Sequence, residues 1–222
     1  MSWESTVPYY RIINETVGER LGGLHSARVV LYSVEFQEIE ILQHADRWDE
    51  TAEILTAAAR SIEAAGADFL VICTNTMHKV APQIEEGIDI PLLHIADATA
   101  GEIKAAGAKT VGLLGTKFTM EHDFYRGRLV QNHGLAVLVP DEAERDVVHR
   151  VIYEELCLGT VRDDSRDAYR KIIADLVDRG AEAVILGCTE ISMLVRPEDA
   201  SVPVFDTTEI HARKAVDWAL EE

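Results

Sequence analysis

The chain carries an internal repeat, and the repeat limits the folds open to it. Ala65-Gly66-Ala67-Asp68 leads into the apolar run Leu70-Val71-Ile72, which stops at Cys73-Thr74-Asn75-Thr76. Gly180-Ala181-Glu182 leads into Ala183-Val184-Ile185-Leu186-Gly187, which stops at Cys188-Thr189-Glu190. Downstream, Ile90-Pro91-Leu92-Leu93-His94 matches Val202-Pro203-Val204-Phe205-Asp206, each a short strand opened by proline and followed by a helix. Apolar runs rich in branched residues and bounded by turn residues read as buried strands. Two ordered copies predict two related half-chains facing a shared cleft, each offering one Cys-Thr pair at a strand end.

Strand and helix alternate along the whole chain. In the first half, Val7, Tyr10, Ile13, Val17 and Leu21 predict a helix over 4–20, with Ser5 or Thr6 as cap, Pro8 in its first turn and Gly22-Gly23 as its stop. A strand is predicted over 27–34, then a loop or short helix over 35–43, then a helix carrying Trp48, Ala52, Leu55, Ala59 and Ile62. The Cys73 strand, a helix through Met77, Val80 and Ile84, the Pro91 strand and a helix over 96–106 follow. The second half reads as a strand over 109–116, a helix through Phe124, Tyr125 and Leu129, and a strand over 136–140. Helices over 142–158 and 163–179, the Cys188 strand, the Val202 strand and a helix over 208–220 complete it.

This order predicts an α/β fold of two pseudo-symmetric parallel-sheet domains with the active site in the cleft between them. The expected division is 1–97 plus 207–222 for the N-terminal domain and 98–206 for the C-terminal one. Tyr9-Tyr10-Arg11 matches Phe124-Tyr125-Arg126, which sets Met1 opposite Thr116. Strand 109–116 then has no counterpart. The first strand of the N-terminal domain is expected to be missing, through a sheet lacking an inner strand or a start codon downstream of the native one.

With 222 residues, 47% hydrophobic and 27% charged, the chain can bury a sizeable core. No apolar run reaches the roughly 20 residues of a membrane span, and no basic-then-apolar leader opens the sequence, so the cytoplasm is the expected location. The net charge of −18 argues against nucleic acid, whose phosphates reward clustered Lys and Arg. Cys73, Cys157 and Cys188 are odd in number and far apart, which suits neither a disulfide framework nor a zinc site, and no metal is expected. Cys157 reads as structural, on a helix face with Val151 and Ile152. The Gly115 turn belongs to neither nucleotide-binding glycine motif.

A cysteine where a strand meets a helix sits near unpaired N–H groups and the positive end of the helix dipole, which favour thiolate. Two opposed thiols suit a two-base proton transfer at a carbon acid: one removes a proton from one face and the other returns one to the opposite face. Thr74, Asn75, Thr76, Thr116, Thr119 and Thr189 supply donors for a carboxylate and for the charge that grows on it as Cα loses its proton. Glu190, which closes the second motif, is counted with them. The plainer readings are a buried structural cysteine and ordinary helix caps.

The segments Cys73-Thr74-Asn75-Thr76 and Gly187-Cys188-Thr189-Glu190 resemble the signatures of the aspartate/glutamate racemase family. So do Met1-Ser2-Trp3-Glu4-Ser5-Thr6, Leu113-Leu114-Gly115-Thr116-Lys117-Phe118-Thr119-Met120, Asp123-Phe124-Tyr125-Arg126-Gly127-Arg128-Leu129 and Glu154-Glu155-Leu156-Cys157-Leu158-Gly159. The resemblance covers the whole chain and is closest to the broad-specificity amino-acid racemase branch. It implies a pyridoxal-free isomerase without cofactor, a homodimer acting on a small amino acid, with Cys73 and Cys188 as the two bases. By the same resemblance Asn75, Thr76, Thr116 and Thr119 touch the substrate's α-amino-acid end, and Met1 and Gln43 lie near it. Aspartate-specific relatives carry a basic residue around 154–159; here Glu154, Glu155 and Cys157 stand there, which favours a broader side-chain preference, homoserine-like substrates included. Relatives also begin with an apolar strand and Gly-Gly ahead of Met-Ser-Trp. Competing readings are a Cys-dependent decarboxylase, hydantoin racemase or maleate-type isomerase, and a non-catalytic binding or thiol redox-sensing protein on the same fold.

Overall fold

The computed structural model describes residues 1–221; residue 222, which ends the first predicted unit, lies outside the described residues. The second-half repeat forms a four-stranded parallel sheet. Its strands are β3 (Thr110–Gly115), β4 (Ala136–Leu138), β5 (Ala183–Gly187) and β6 (Val204–Asp206), in the order β4-β3-β5-β6. Every residue of β5, and all of β3 after Thr110, is buried. Helices on both faces of a parallel sheet account for that burial, and for near-continuous apolar runs in place of alternation. The register sets Gly112, Leu113 and Leu114 beside Val184, Ile185 and Leu186. At the carboxyl end Gly115 pairs with Gly187. A Cβ on Gly115 would lie 2.9 Å from the Gly187 carbonyl, and one on Gly187 2.8 Å from that of Leu114. Only glycine permits this approach.

The first half keeps the same plan with less sheet. β1 (Leu70–Val71) pairs in parallel with β2 (Leu92–Leu93), and the Leu70 amide donates to the Pro91 carbonyl as Val184 donates to Pro203. The predicted strand over 27–34 does not form: these residues are irregular, and Val29, Val30, Leu31 and Tyr32 are exposed. A strand exists only by its ladder, and this stretch has no neighbouring strand to pair with.

The first helix, α1 (Trp3–Leu21), starts earlier than expected. Its cap is Ser2, which accepts from the Ser5 amide, rather than Ser5 or Thr6, and Pro8 therefore falls in the second turn. Residues 35–43 fold as a helix, α2 (Phe36–His44), capped by Glu35. The helices α3 (Trp48–Ala64), α4 (Ala81–Glu85) and α5 (Ile95–Ala105) follow in the first half. The second half adds α6 (Lys117–Glu121), α7 (Asp123–His133), α8 (Glu142–Glu154), α9 (Asp163–Asp178), α10 (Ile191–Leu194) and α11 (Thr207–Leu220). The helix expected over 142–158 breaks at Glu155, where a separate 3-10 turn, Leu156–Leu158, begins. No helix among the described residues is long and apolar enough to cross a membrane.

The last helix returns to the first half and packs against α1 and α5. Three buried histidines lie at this seam. His78 Nε2 accepts from the Ile95 amide, so its Nδ1–H donates to the Thr74 carbonyl, 2.8 Å away. His211 donates through Nε2 to the Leu93 carbonyl and accepts at Nδ1 from the Tyr9 hydroxyl. His94 Nδ1 accepts from the Ala96 amide. His78 and His211 are each satisfied as neutral imidazole. Burial lowers all three pKa values, His94 to about 3 and His211 to about 4.

A histidine whose folded pKa lies below its unfolded value near 6.5 binds more protons when unfolded, so stability falls as pH drops. The slope is about 1.4 kcal/mol per pH unit for each histidine, which gives about 2 kcal/mol each between pH 6.5 and 5. We expect Tm to fall steeply across that window, and the slope to become shallower in His211→Gln, as read by calorimetry in pH steps; an unchanged slope in the variant would contradict this assignment.

Candidate active site

The site assembles because the carboxyl ends of parallel strands leave backbone groups without ladder partners, and the chain turns there into helices. Hydroxyl side chains fill these turns and join the two halves. Thr76, from the 3-10 turn Thr76–Val80 after β1, lies 3.0 Å from Thr116 Oγ1 and 3.3 Å from Thr119 Oγ1. Thr116 caps α6 and lies 3.2 Å from Thr119, so three buried hydroxyls meet. Asn75 Nδ2 donates to Thr207 Oγ1, which in turn donates to the Leu186 carbonyl. The buried Asn75 Oδ1 has no partner among the described residues.

A series of contacts links the backbone at Cys73 with the Cys188 thiol. The Met1 ammonium donates to the Cys73 carbonyl at 3.2 Å and to Ser5 Oγ at 3.0 Å. The next residue, Ser2, donates its hydroxyl to Glu190 Oε1 at 2.7 Å. Glu190 Oε2 accepts from the Cys188 thiol at 3.0 Å and from the Thr189 hydroxyl at 2.7 Å. Burial alone would raise the Glu190 pKa, but the Met1 ammonium and the hydrogen bonds from Cys188, Ser2 and Thr189 hold it below the usual carboxylate value. Glu190 is thus a buried, fully partnered anion.

The thiols differ from the expectation of a helix-activated pair. Burial pushes Cys73 up to about 11, offset in part by the Met1 ammonium. Cys188 is raised well above its ordinary value, by burial first and then by the charge of Glu190. The dipole argument fails for a local reason: the sequence turns into helix later than predicted. β1 ends at Val71, the five-residue 3-10 turn begins only at Thr76, and α10 beyond Cys188 has four residues. Neither turn is long enough to add up a useful dipole.

Of the predicted residues, Met1, Cys73, Cys188, Thr189 and Glu190 form one connected group, Thr76, Thr116 and Thr119 form a second, and Asn75 bonds to Thr207. Thr74 lies between Cys73 and Asn75 and uses its carbonyl on His78. Gln43, from the first half, is buried and accepts from the Tyr153 hydroxyl of α8 at 3.0 Å. Three residues were not foreseen here. The sequence presents Ser2 only as part of a motif, gives no sign of Tyr153, and places Cys157 on a helix face as a structural residue. Cys157 lies instead in the 3-10 turn after α8, with its thiol 3.7 Å from Glu190 Oε1. The break at Glu155 redirects it, and no local sequence signal marks that break. No cluster of three or more metal-ligating side chains occurs among the described residues.

Comparison with known proteins gives the family. A Yersinia pestis crystal structure of a candidate Asp/Glu racemase is 58% identical, with a TM-score of 0.93, over 100% of this chain and 96% of that one. An aspartate racemase homologue from Pyrococcus horikoshii OT3 is 37% identical, with a TM-score of 0.84, over 98% of this chain and 95% of that one. The broad specificity amino-acid racemase RacX of Bacillus subtilis is 23% identical over 180 residues, 78% of this chain and 75% of that protein. The profile of the Asp/Glu/hydantoin racemases matches residues 1–215, and the chain belongs to that family.

Proposed function

We propose that the protein is a cofactor-independent amino-acid racemase that moves a proton across Cα with Cys73 and Cys188 as the two bases. The observation that carries this reading is the set of contacts that ties the Cys73 carbonyl to the Met1 ammonium and the neighbouring Ser2 hydroxyl to Glu190, which accepts from the Cys188 thiol. It sets one thiol beside an ammonium and the other beside a carboxylate, so the two protonation states are poised unequally. The division into 1–97 plus 207–222 and 98–206, with the cleft between them, is part of the same reading.

The chemistry closes in protons. Cys73, having first lost its proton to solvent, takes the Cα proton as a thiolate and becomes a thiol again; the electron pair moves into the substrate carboxylate. The Cys188 thiol delivers its proton to the opposite face and becomes a thiolate. In the reverse direction Cys188 must first lose its proton, and Glu190 Oε2 at 3.0 Å is the acceptor in place. The Thr76, Thr116 and Thr119 hydroxyls donate to the substrate carboxylate, where charge accumulates. The unpartnered Asn75 Oδ1 suits the α-ammonium. The Gln43–Tyr153 pair and Cys157 near Cys188 are uncharged, which supports a broad or neutral side-chain preference, homoserine-like as well as acidic.

Cα–H exchange in heavy water should proceed with no pyridoxal phosphate or metal added. Cys73→Ser and Cys188→Ser should each lower racemisation by about 10²–10⁴-fold. Each variant should still exchange the Cα hydrogen of one enantiomer, the one whose proton faces the remaining thiol, because that thiol can return solvent deuterium to the same face. Mass spectrometry on each enantiomer reads this directly, and racemisation by Cys188→Ser at near wild-type rate would refute the two-base reading.

Glu190→Gln keeps the shape and removes the proton acceptor. It should slow exchange of the enantiomer served by Cys188 by about tenfold or more and leave that served by Cys73 within about twofold. Equal losses for both enantiomers would show that Glu190 only holds the fold.

A further inference from the structure

The 3-10 turn Thr76–Val80 touches the second half at two points. At its start Thr76 meets the hydroxyls of Thr116 and Thr119. One turn on, Lys79 Nζ lies 3.0 Å from Nδ1 of His122. Both contacts fall on one short helix, because α6 runs from Thr116, its N-cap, to His122, its C-cap. An ammonium has three N–H donors and no lone pair, so Lys79 donates and His122 accepts. The bond therefore needs an imidazole with no proton on Nδ1. A second proton on the ring would occupy Nδ1, remove the acceptor and leave two cations in contact.

The surroundings hold Lys79 in this place. Its ammonium sits over the Trp48 ring, 3.8 Å from the centroid. Trp48, at the start of α3, meets Phe118 and His122 edge-on, with ring centroids 5.4 and 6.3 Å apart. Trp48 Nε1 donates to Asp46, whose backbone lies in the left-handed region at φ 56°. Such a conformation at a non-glycine residue persists only where its neighbours hold it.

The other charges that face His122 are already engaged. Asp46 lies 3.9 Å from Lys79, Glu121 takes Arg145 at 2.8 Å, and Asp123 lies 3.7 Å from Arg126. Burial, and then the charge of Lys79, lower the His122 pKa despite these three carboxylates. His149 also accepts at Nδ1, from the Lys117 amide, but it joins α6 to α8, both in the second half. His44 of α2, beside Phe118 and Tyr153, has its Nδ1 on the Glu40 carbonyl and carboxylate of its own helix. The bond across the seam that depends on an unprotonated ring is the one at His122.

We propose that His122 is a positioning residue: through Lys79 it clamps the Thr76 turn against α6, and a proton on its ring releases the clamp and loosens the three-hydroxyl cluster. The clamp is intact at neutral pH and is lost as pH falls below the ordinary histidine value of about 6.5, through the lower value of the folded ring. Its consequence for a substrate carboxylate rests on the racemase reading; the clamp itself does not.

Hydrogen exchange without substrate reads the clamp. The buried His78, His94 and His211 weaken the whole fold over the same pH range, so the comparison is with His122→Asn, which retains them. Asn places a side-chain oxygen near the position of Nδ1, an acceptor that takes up no proton. From about pH 7.5 to about pH 5, protection of Thr76–Val80 and Lys117–Glu121 should fall at least about fivefold further in the wild type than in His122→Asn. Lys79→Met keeps an apolar stem over Trp48 and removes the donor. It should be loosened already at about pH 7.5 and follow the shallower slope of His122→Asn. Equal falls in the wild type and His122→Asn would overturn the proposal and assign the acid response to His149 or to the buried histidines. In turnover, KM for an α-amino acid should rise at least about threefold further in the wild type than in His122→Asn over that span, with the ratio of their kcat values constant within about twofold. Matching KM profiles would overturn the positioning role. No turnover by either protein, with the difference in protection present, would refute the racemase reading and leave the clamp established by exchange alone.

Discussion

A buried carboxylate needs partners, and in this chain the needs of Glu190 organise everything around it. Its two oxygens take hydrogen bonds from Ser2, Cys188 and Thr189, and the ammonium of Met1 balances its charge. An ionised group with one such partner removed would be several kcal/mol worse off. The start of α1, the end of β5 and the 3-10 turn carrying Cys157 are therefore tied to one another through a single side chain. Ser2 serves both purposes, because the oxygen that caps α1 also holds the carboxylate.

The hydroxyl cluster joins the halves at a second point. Thr76 belongs to the first half, Thr116 and Thr119 to the second, and the Gly115–Gly187 contact brings the α6 cap close to the end of β5. Threonines at these turns cap helices in many proteins. Here they meet three at once in the interior, each hydroxyl within hydrogen-bonding distance of the other two.

The architecture was legible because it is written twice. The Gly-Ala-acid entry, the branched run and the Cys-Thr exit placed β1 and β5, and the proline-led segments placed β2 and β6, close to where they form. The sequence was less informative wherever an outcome depends on a partner distant in the chain. Val29 to Tyr32 has strand composition but no neighbour, so it stays irregular. Ser2 could not be read as a ligand of Glu190 without knowing that residues 188 apart would meet. Likewise, the thiols looked activated because local position favours thiolate, whereas burial, a property of the finished fold, outweighs it.

The two copies are not superimposable at their ends. Cys73 follows Gly66 by seven residues and Cys188 follows Gly180 by eight, and the first copy's thiol carries an ammonium nearby where the second carries a carboxylate. Such a pair has a resting polarity: the proton is held more firmly at Cys188 than at Cys73. In a two-thiol enzyme the free form would then be primed for one hand of substrate, and each turnover would leave it primed for the other. Because the two hands are equal in free energy, the asymmetry cannot bias the final mixture. It would act instead on the empty form of such an enzyme, which would have to move a proton back between turnovers.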